Sequence, residues 1–342
     1  MIVALAAAPA RLVVSGAPLF GSWRGGVTDA SLDGLAPPFA RGFLGRKQVE
    51  KKWLYTLVAT PDLFFCLAII DAGFLHSAFL SLFDRKSRTL LADKSVVLPG
   101  FLGRVKVGEQ PSALYARIAA PGCNASIVRL GGASTEQQGN GVQVHALLGG
   151  VEAELRLESL DEPAAMSACA DLGDGRFDFT QKRTGLTASG TIAHRGRTFR
   201  VECGRAGLDL THGYLRRETS WRWAFGMGEA TGRKLAFNFS EGFVSGGAEN
   251  VLFLDGAPHA AGPIAFSFDP KDPGAPWHLR GDGLELEFTP EGHRAQNVST
   301  PIASSRYVQP FGSFRGHLTH PSGERISLEG IPGVTEDHSA RW

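Results

Sequence analysis

The sequence lacks the features that mark several large classes of protein. Its formal net charge is +1 over 342 residues, and it contains no block of lysines and arginines, which argues against nucleic-acid binding. No run of about 18 uninterrupted apolar residues occurs, so the sequence predicts no transmembrane segment. Neither a GxSxG motif nor a glycine-rich phosphate loop is present. Nucleophile-elbow hydrolases and nucleotide-binding folds therefore have no support.

Cysteine is scarce and scattered. The four cysteines, Cys66, Cys123, Cys169 and Cys203, form no CxxC pair, so zinc and thioredoxin-type sites are not predicted. The acidic and histidine-containing end at Glu336–His338 could hold a metal, but such a terminal cluster is more typical of solvated residues. The apolar N-terminus has no basic region of the kind that begins a signal peptide. Free thiols and a missing leader together predict a cytoplasmic protein without a bound metal.

Glycine, by contrast, is abundant. The chain has 43 glycines, about twice the usual share, and they stand singly between short apolar runs. This pattern is typical of many tight turns between strands. Val151–Glu158 alternates strictly between apolar and polar residues, and a Gly149-Gly150 turn precedes it, which predicts a hairpin. Long helical periodicity is absent. We therefore predict an all-β protein built as antiparallel barrels or sandwiches.

The length suits two domains. The stretch LDEPAAMSACADLGDGR, residues 160–176, separates two strand-rich halves. The sequence therefore predicts an N-terminal β domain over residues 1–170 and a C-terminal β domain over residues 171–342.

One stretch combines more polar and aromatic residues than a structural strand requires. DLTHGYLRRETSWRWAFG, residues 209–226, is interpreted as a turn followed by the first arm of a hairpin, with KLAFNFSEG as the return arm. On strands, Trp221 and Trp223 share one face of the first arm, and Phe237 and Phe239 share one face of the second. The expected hairpin has one aromatic face, which is either core or the wall of a cavity. Its polar face carries Glu218, Arg222 and Asn238.

The order of motifs along the chain resembles the bacterial domain-of-unknown-function 2804 family. The strings that carry the resemblance are PLFGSWRGG, KKWLYTLVATPDLFFCLAIIDAGF, GLDLTHG, ETSWRWAFGMG, GRKLAFNFSEGF, ENVLFLDG, PWHLRGDGLELEFTPEG and GERISLEGIPGVTEDHSARW. They span essentially the whole chain. The family is similar at the fold level to the lipocalin-like group of carotenoid 1,2-hydratase, tocopherol cyclase and Diels–Alderase-type cyclases. The resemblance implies two lipocalin-like domains that handle a lipophilic molecule, although a fold alone does not fix a function.

Reactions of that group protonate an alkene or organise a polyene, which requires a carboxylic acid kept protonated in an apolar setting and aromatic faces for developing positive charge. The predicted catalytic residues are Asp209, His212 and Glu241, with Asp209 and His212 as a candidate acid/base pair. Glu218 and Glu249 are further acids near Asp209 in the sequence. Asp71, at the end of the buried strand LFFCLAII, is another candidate acid. The predicted ligand-binding residues are Trp221, Arg222, Trp223, Phe237, Asn238 and Phe239.

Two functions remain open from the sequence. The first is a cofactor-independent hydratase, isomerase or cyclase, and the second is a non-catalytic carrier or sequestering protein for a lipid or isoprenoid. Carbohydrate binding by exposed tryptophans is a third, less favoured reading. The expected partner is a lipophilic small molecule, with no nucleic acid and no cofactor. Transient contact with a membrane is compatible with the sequence, and the sequence does not determine the oligomeric state.

Overall fold

The structure is a computed structural model that describes residues 2–130, 141–159, 164–299, 303–320 and 322–342. It confirms the predicted fold class, because almost all regular structure is antiparallel strand. The first half contains β1 Val3–Ala4, β2 Ala6–Ala7, β3 Val13–Val14, β4 Ala17–Pro18, β5 Gly21–Arg24, β6 Glu50–Ala59, β7 Leu63–Asp71, β8 Leu75–Asp84, β9 Thr89–Pro99, β10 Val105–Val107, β11 Tyr115–Ala120, β12 Cys123–Arg129, β13 Val142–Leu148, β14 Val151–Glu158 and β15 Ala164–Gly173.

The second half contains β16 Arg176–His194, β17 Arg197–Tyr214, β18 Glu218–Ala230, β19 Arg233–Glu241, β20 Val251–Leu254, β21 Ala257–Ala260, β22 Ala265–Ser267, β23 Trp277–Gly281, β24 Leu284–Ser299, β25 Ser304–Thr319 and β26 Arg325–Arg341. Helix α1 spans Phe43–Val49, and single 3-10 turns occur at Gly100–Leu102 and Ser245–Gly247. None of the helices in the described part of the chain is long and apolar enough to span a bilayer.

The strands form two large curled sheets. The first sheet has the order β10-β11-β12-β13-β14-β16-β17-β6-β7-β8-β9, with β15, β5 and β2 attached beside β16. The second has the order β1-β21-β20-β19-β18-β26-β25-β24-β23-β22. The change from the first sheet to the second falls in the short link at residues 215–217, between β17 and β18. The N-terminus also joins both sheets, since β1 belongs to the second and β2 to the first.

The boundary predicted after residue 170 therefore falls within β15, a strand of the first sheet. Asp174 and Gly175, at the end of the 160–176 stretch, form the tight turn between β15 and β16, and both residues have a positive φ. Turn residues mark the ends of strands, but they do not tell a hairpin within one sheet from a passage between sheets.

Three apolar layers hold the sheets together. One core fills the curl of the first sheet and another fills the curl of the second. A third lies between them and takes residues from β6, β7, β8 and β15 on one side and from β18, β19, β20, β25 and β26 on the other. Strand β7 illustrates the arrangement: Phe65 and Leu67 point into the first core, and Phe64 and Cys66 point into the layer between the sheets. That is why LFFCLAII is apolar on both faces, as the sequence predicts.

The Gly149-Gly150 hairpin is also confirmed. Val151 faces Leu148 across a two-residue turn, and β14 alternates buried and exposed residues throughout its length. Both glycines have a positive φ, the conformation that this class of turn requires.

Candidate functional site

A large cavity opens within the layer between the two sheets. Its volume is about 1170 Å³, and both sheets contribute to its wall. Most of the wall is apolar or aromatic, and the polar groups on it are few and grouped. Ligand sites in proteins commonly have this character, being concave, apolar and supplied with a small number of placed polar groups.

One row of side chains crosses the first sheet and faces the cavity. Lys182 on β16 pairs with Asp209 on β17, which pairs with Tyr55 on β6. The row continues to Ala68 on β7 and Phe79 on β8. Because side chains on paired positions point to the same face of a sheet, the register alone aligns the five residues. All five line the cavity.

The predicted turn at the start of the 209–226 stretch is wrong. Asp209 to Tyr214 form the end of β17 and pair along β6 from Tyr55 to Glu50. Only residues 215–217 link the two sheets. Asp209 therefore sits within a ladder of hydrogen bonds on both sides, which fixes its position more firmly than a loop would.

The second sheet supplies the opposite wall through Trp221, Trp223 and Ser240, together with Glu336, His338 and Tyr307. The two walls meet at aromatic contacts. Trp53 of the first sheet stacks on Trp221 of the second with ring centroids 6.3 Å apart. Tyr55 meets Trp223 edge to face at 5.5 Å. Trp221 and Trp223, both predicted from the sequence as ligand wall, thus lie on the cavity.

The β18–β19 hairpin does not have the single aromatic face that was expected. Thr231 and Gly232 form its two-residue turn, and Ala230 pairs with Arg233. In this register odd-numbered residues of β18 lie beside even-numbered residues of β19, so Trp223 pairs with Ser240 and not with a phenylalanine. Phe237 and Phe239 point the other way, into the core of the second sheet. The turn length determines which faces combine.

Asn238 consequently shares the tryptophan face, where its role is to position other groups. Its Oδ1 accepts a hydrogen bond from Trp223 Nε1 at 2.7 Å, and its Nδ2 donates to the Glu249 carbonyl at 3.0 Å. Asn238 is fully buried and is not part of the cavity wall. It therefore fixes the Trp223 ring against the turn that contains Glu249.

A buried group that we call the acid-rich cluster lies at one end of the cavity and consists of Asp178, Lys182, Asp209 and Glu249. Lys182 Nζ lies 2.6 Å from Asp209 Oδ1 and 3.1 Å from Glu249 Oε2. Ser240 Oγ donates to Glu249 Oε1 at 2.6 Å. Lys182 comes from β16, Asp209 from β17 and Glu249 from the segment before β20, so the cluster joins the two sheets.

Three carboxyls in this cluster share one ammonium group. All four residues are buried, and an unbalanced buried charge is costly. Burial raises the pKa of Asp209, and the attraction of Lys182 offsets this only in part. The pKa of Asp178 is well above its ordinary value because of burial and the nearby charge of Glu249. The cluster therefore retains protons on its aspartic acids above the pH at which exposed carboxyls lose them.

His212 lies on the opposite face of β17 from Asp209, so the two do not form the acid/base pair that was expected. Residues three apart on a strand point to opposite faces. His212 Nε2 instead lies 2.9 Å from Glu50 Oε1, away from the cavity. Spacing that brings two residues together in a turn or helix separates them in a strand.

His212 belongs to a second group, the paired cluster, which consists of Arg46, Glu50, Lys52, Glu109 and His212. His212 is buried, and the other four residues are partly exposed. Ligand atoms of Glu50, Glu109 and His212 lie within 4.8 Å of one another, close enough for a metal ion. Arg46 and Lys52, however, already form ion pairs with both glutamates. Cations among the ligands oppose a metal, so this arrangement is best explained as a structural ion-pair network.

Two further predicted residues lie outside the cavity wall as far as the described residues show. Arg222 and Glu241 pair across β18 and β19 on the face that looks away from the cavity. Arg222 Nε lies 3.7 Å from Asp337 Oδ1. Neither has a side chain on the face shared by Trp221 and Asn238.

Glu336 and His338 also line the cavity, although the sequence did not predict them as cavity residues. Glu336 is buried, and accepts hydrogen bonds from Trp221 Nε1 at 2.7 Å and from Gln309 Nε2 at 3.2 Å. Ser305 Oγ lies 2.9 Å from His338 Nε2. Their position near the C-terminus suggested solvent, but a terminal strand in the middle of a sheet is buried. The alternation in VTEDHSARW, which places Glu336 and His338 on one face, was the available signal.

Comparison with known proteins agrees with this architecture. The model of the family described as "Domain of unknown function (DUF2804)" matches residues 12–342. The chain belongs to the DUF2804 family. No protein of curated function matches the sequence.

Several solved structures share the fold. The crystal structure of CghA with Sch210972 superposes with a TM-score of 0.51 at 12% identity, covering 86% of this chain and 88% of that one. A protein assigned as AttH from Nitrosomonas europaea gives a TM-score of 0.51 at 15% identity, with 90% and 98% covered. Kievitone hydratase from Nectria haematococca gives 0.50 at 10% identity, with 94% and 98% covered. The DUF2804 chain thus shares the two-sheet, lipocalin-like fold of these three proteins.

Proposed function

We propose that this protein binds a lipophilic small molecule in the cavity between its sheets and carries out acid-assisted hydration, isomerisation or cyclisation on it without a cofactor. The observation that carries the proposal is the contact of the acid-rich cluster with a large, mainly apolar cavity. A carboxyl that keeps its proton beside an apolar wall is the group that protonation of an alkene or enol requires.

Asp209 is the proposed acid because it is the aspartic acid of the cluster that lines the cavity. Its proton lies within a hydrogen-bonded group that includes Lys182 and Thr180. Glu249 and Ser240, also on the wall, are placed to return a proton or to orient water. The rings of Trp221 and Trp223 face the same space and would stabilise positive charge that develops on the substrate.

The structural neighbours support a small-molecule substrate. Kievitone hydratase is named for a hydration, and CghA was crystallised with Sch210972. The proposed substrate class for this chain is a lipophilic molecule with a protonatable double bond, such as an isoprenoid or a polyketide. The cysteines are unpaired, which supports the proposal of a reducing, cytoplasmic setting.

The alternative is a carrier that holds the same kind of molecule without converting it. A carrier needs the apolar wall and an opening, but it needs no protonated carboxyl in contact with the ligand. The raised pKa of Asp209 therefore favours the enzyme, and loss of turnover in an Asp209 variant separates the two functions.

The first test is mass spectrometry of an organic extract of the purified protein, combined with titration by the fluorescent lipid cis-parinaric acid. We expect about one lipophilic molecule or one probe per chain. Trp221→Ala should weaken probe binding about tenfold, since a large aromatic contact is lost. Trp23→Ala is the matched control, because Trp23 is half-buried against the first core and away from the cavity wall. An empty extract together with no saturable probe binding would refute a ligand cavity.

A further inference from the structure

The chain contains the sequence GFLGR twice, at residues 42–46 and 100–104. The first copy leads into helix α1 and the second forms a 3-10 turn. In both copies the phenylalanine is strongly exposed, 75% for Phe43 and 87% for Phe101. The following leucines, Leu44 and Leu102, are exposed as well. Large apolar side chains that project so far into solvent are uncommon unless they meet a partner.

The two copies are neighbours in space because helix α1, which contains most of the first copy, and the 3-10 turn of the second copy both pack on the turn between β7 and β8. A Cβ atom on Gly73 of that turn would lie 1.9 Å from the Lys47 carbonyl oxygen, and one on Gly100 would lie 2.2 Å from the Gly73 carbonyl oxygen. The Gly100 amide donates to the Phe74 carbonyl at 2.7 Å. Two glycines thus allow α1, the turn and the 3-10 segment to meet. Phe74, at the turn itself, is 58% exposed.

This surface forms the rim of the cavity. Leu44 and Phe74 both line the cavity, as does Val97 on the neighbouring end of β9. All three are also exposed. We use the name rim patch for Phe43, Leu44, Phe74, Val97, Phe101 and Leu102. The opening of the cavity is therefore bordered by apolar side chains that are continuous with its apolar wall.

Positive charge lies next to the rim patch. The segments GFLGRKQ and GFLGRVK each carry two cations and no acidic residue. The cations are Arg46 and Lys47 in the first and Arg104 and Lys106 in the second. Arg46 is paired with Glu50 and Glu109, whereas Arg104 and Lys106 are exposed and follow Phe101 closely in the chain. Apolar tips backed by cations match the acyl boundary and anionic headgroups of a membrane surface.

We propose that the rim patch docks on the surface of a lipid bilayer that contains anionic lipid. The phenylalanines insert at the boundary between headgroups and acyl chains, and Arg104 and Lys106 contact lipid phosphates. A bilayer fits better than a protein because the side chains project from separate short segments, and exposed cations follow Phe101 and Leu102 in the chain. Docking in this way places the cavity opening against the membrane, where a lipophilic ligand can enter without crossing water. Ligand entry from the membrane rests on the proposed function, but the binding of this protein to vesicles does not depend on that function.

The test is sedimentation of the full chain with vesicles of phosphatidylcholine, with and without phosphatidylglycerol. Wild-type protein should sediment with the mixed vesicles. Phe43→Ser with Phe101→Ser should weaken binding at least about tenfold, since buried apolar area is lost. The double variant Arg104→Glu with Lys106→Glu should weaken vesicle binding about fivefold or more for each reversed charge. This loss should appear only on vesicles that contain the anionic lipid. The matched control is Leu147→Ser, because Leu147 is exposed near the Gly149-Gly150 turn and lies outside the cavity wall.

Three outcomes would overturn docking. The first is that the wild type does not sediment with vesicles. The second is that Leu147→Ser loses as much vesicle binding as the double phenylalanine variant. The third is that the wild type is a dimer in solution, the double phenylalanine variant dissociates it, and neither protein binds vesicles. The last would make the rim patch an interface between two copies of the chain. If the wild type fails to bind vesicles and still carries its extracted ligand, docking alone is refuted. If the wild type binds vesicles, but its organic extract is empty and it shows no saturable probe binding, the proposed function is refuted and docking stands.

Discussion

Two ionisable clusters meet strand β17 on its opposite faces, one through Asp209 and the other through His212, and they behave differently. The paired cluster balances its charges, and the acid-rich cluster does not. Burial alone would raise the pKa of Glu50, but hydrogen bonds from His212 and Arg46 outweigh it and hold that pKa below its ordinary value. Burial raises the pKa of Asp209 despite Lys182. Two carboxyls on the neighbouring strands β6 and β17 thus have pKa values shifted in opposite directions, because the number of cations near each one differs.

The difference distinguishes a carboxylate that stabilises the fold from a carboxyl that can transfer a proton. A carboxylate with enough partners is fixed in one state and contributes to stability. A carboxyl with too few partners keeps a proton that it can deliver, and its cluster costs stability. The second kind lies on the cavity wall and the first does not, which matches the expectation that perturbed groups gather at functional sites.

The largest effect should follow from Asp209→Asn. General acid catalysis contributes about a hundredfold or more, so turnover of the ligand identified by extraction should fall by at least that factor. Ligand affinity should stay within a few-fold, because asparagine keeps the shape of the side chain and Glu249 still pairs with Lys182. Product analysis and probe titration measure the two quantities. Full turnover in this variant would remove Asp209 from the acid role and favour a carrier.

Glu50→Gln tests the other cluster. The substitution leaves Arg46 and His212 without their shared carboxylate in a partly buried site, and we expect a loss of about 2–3 kcal/mol in the free energy of unfolding. Turnover should remain within a few-fold of wild type. Urea unfolding measures the loss, with Glu158→Gln as the control, since Glu158 forms an exposed pair with Arg156. A loss of turnover without a loss of stability would contradict the structural role of the paired cluster.

The smallest effect is in the pH dependence of stability. The folded-state pKa of Asp178 is raised, so the unfolded chain releases this proton first as the pH rises above about 4. Stability then falls with rising pH, by at most about 1.4 kcal/mol per pH unit, until the folded-state pKa is passed. Asp178→Asn removes this pH-dependent contribution to the free energy of unfolding. The stability of the variant relative to wild type should therefore increase between pH 4 and neutrality. Glu50→Gln should show the reverse trend below about pH 4, because the lowered pKa of Glu50 stabilises the folded state above the unfolded value and this contribution is lost on acidification. Thermal melts across pH measure both, and parallel curves for Asp178→Asn and wild type would show that Asp178 ionises normally.

Much of the fold was predictable because local patterns carry it. Alternation in Val151–Glu158, the two-sided apolar run in β7 and the frequent glycines together indicate an all-β chain. The cavity-lining role of Trp221 and Trp223 also followed from their shared face on one strand. The hairpin pairing did not follow, although the Thr231-Gly232 turn contained the information. A two-residue turn places even positions of β19 beside odd positions of β18, which sends Phe237 and Phe239 into the core.

By itself, the sequence determined the strands, their buried faces and the aromatic and acidic composition of the candidate site, because the period of two in a strand is local. Only the tertiary structure decided which strands became neighbours. It brought Lys182 and Glu249 to Asp209 across 27 and 40 residues of chain and turned His212 away. It also buried Glu336 near the C-terminus and joined two distant GFLGR segments at the cavity opening. Such contacts depend on the pairing of strands far apart in the chain, and the energy of pairing is set by whole sheets rather than by any short stretch.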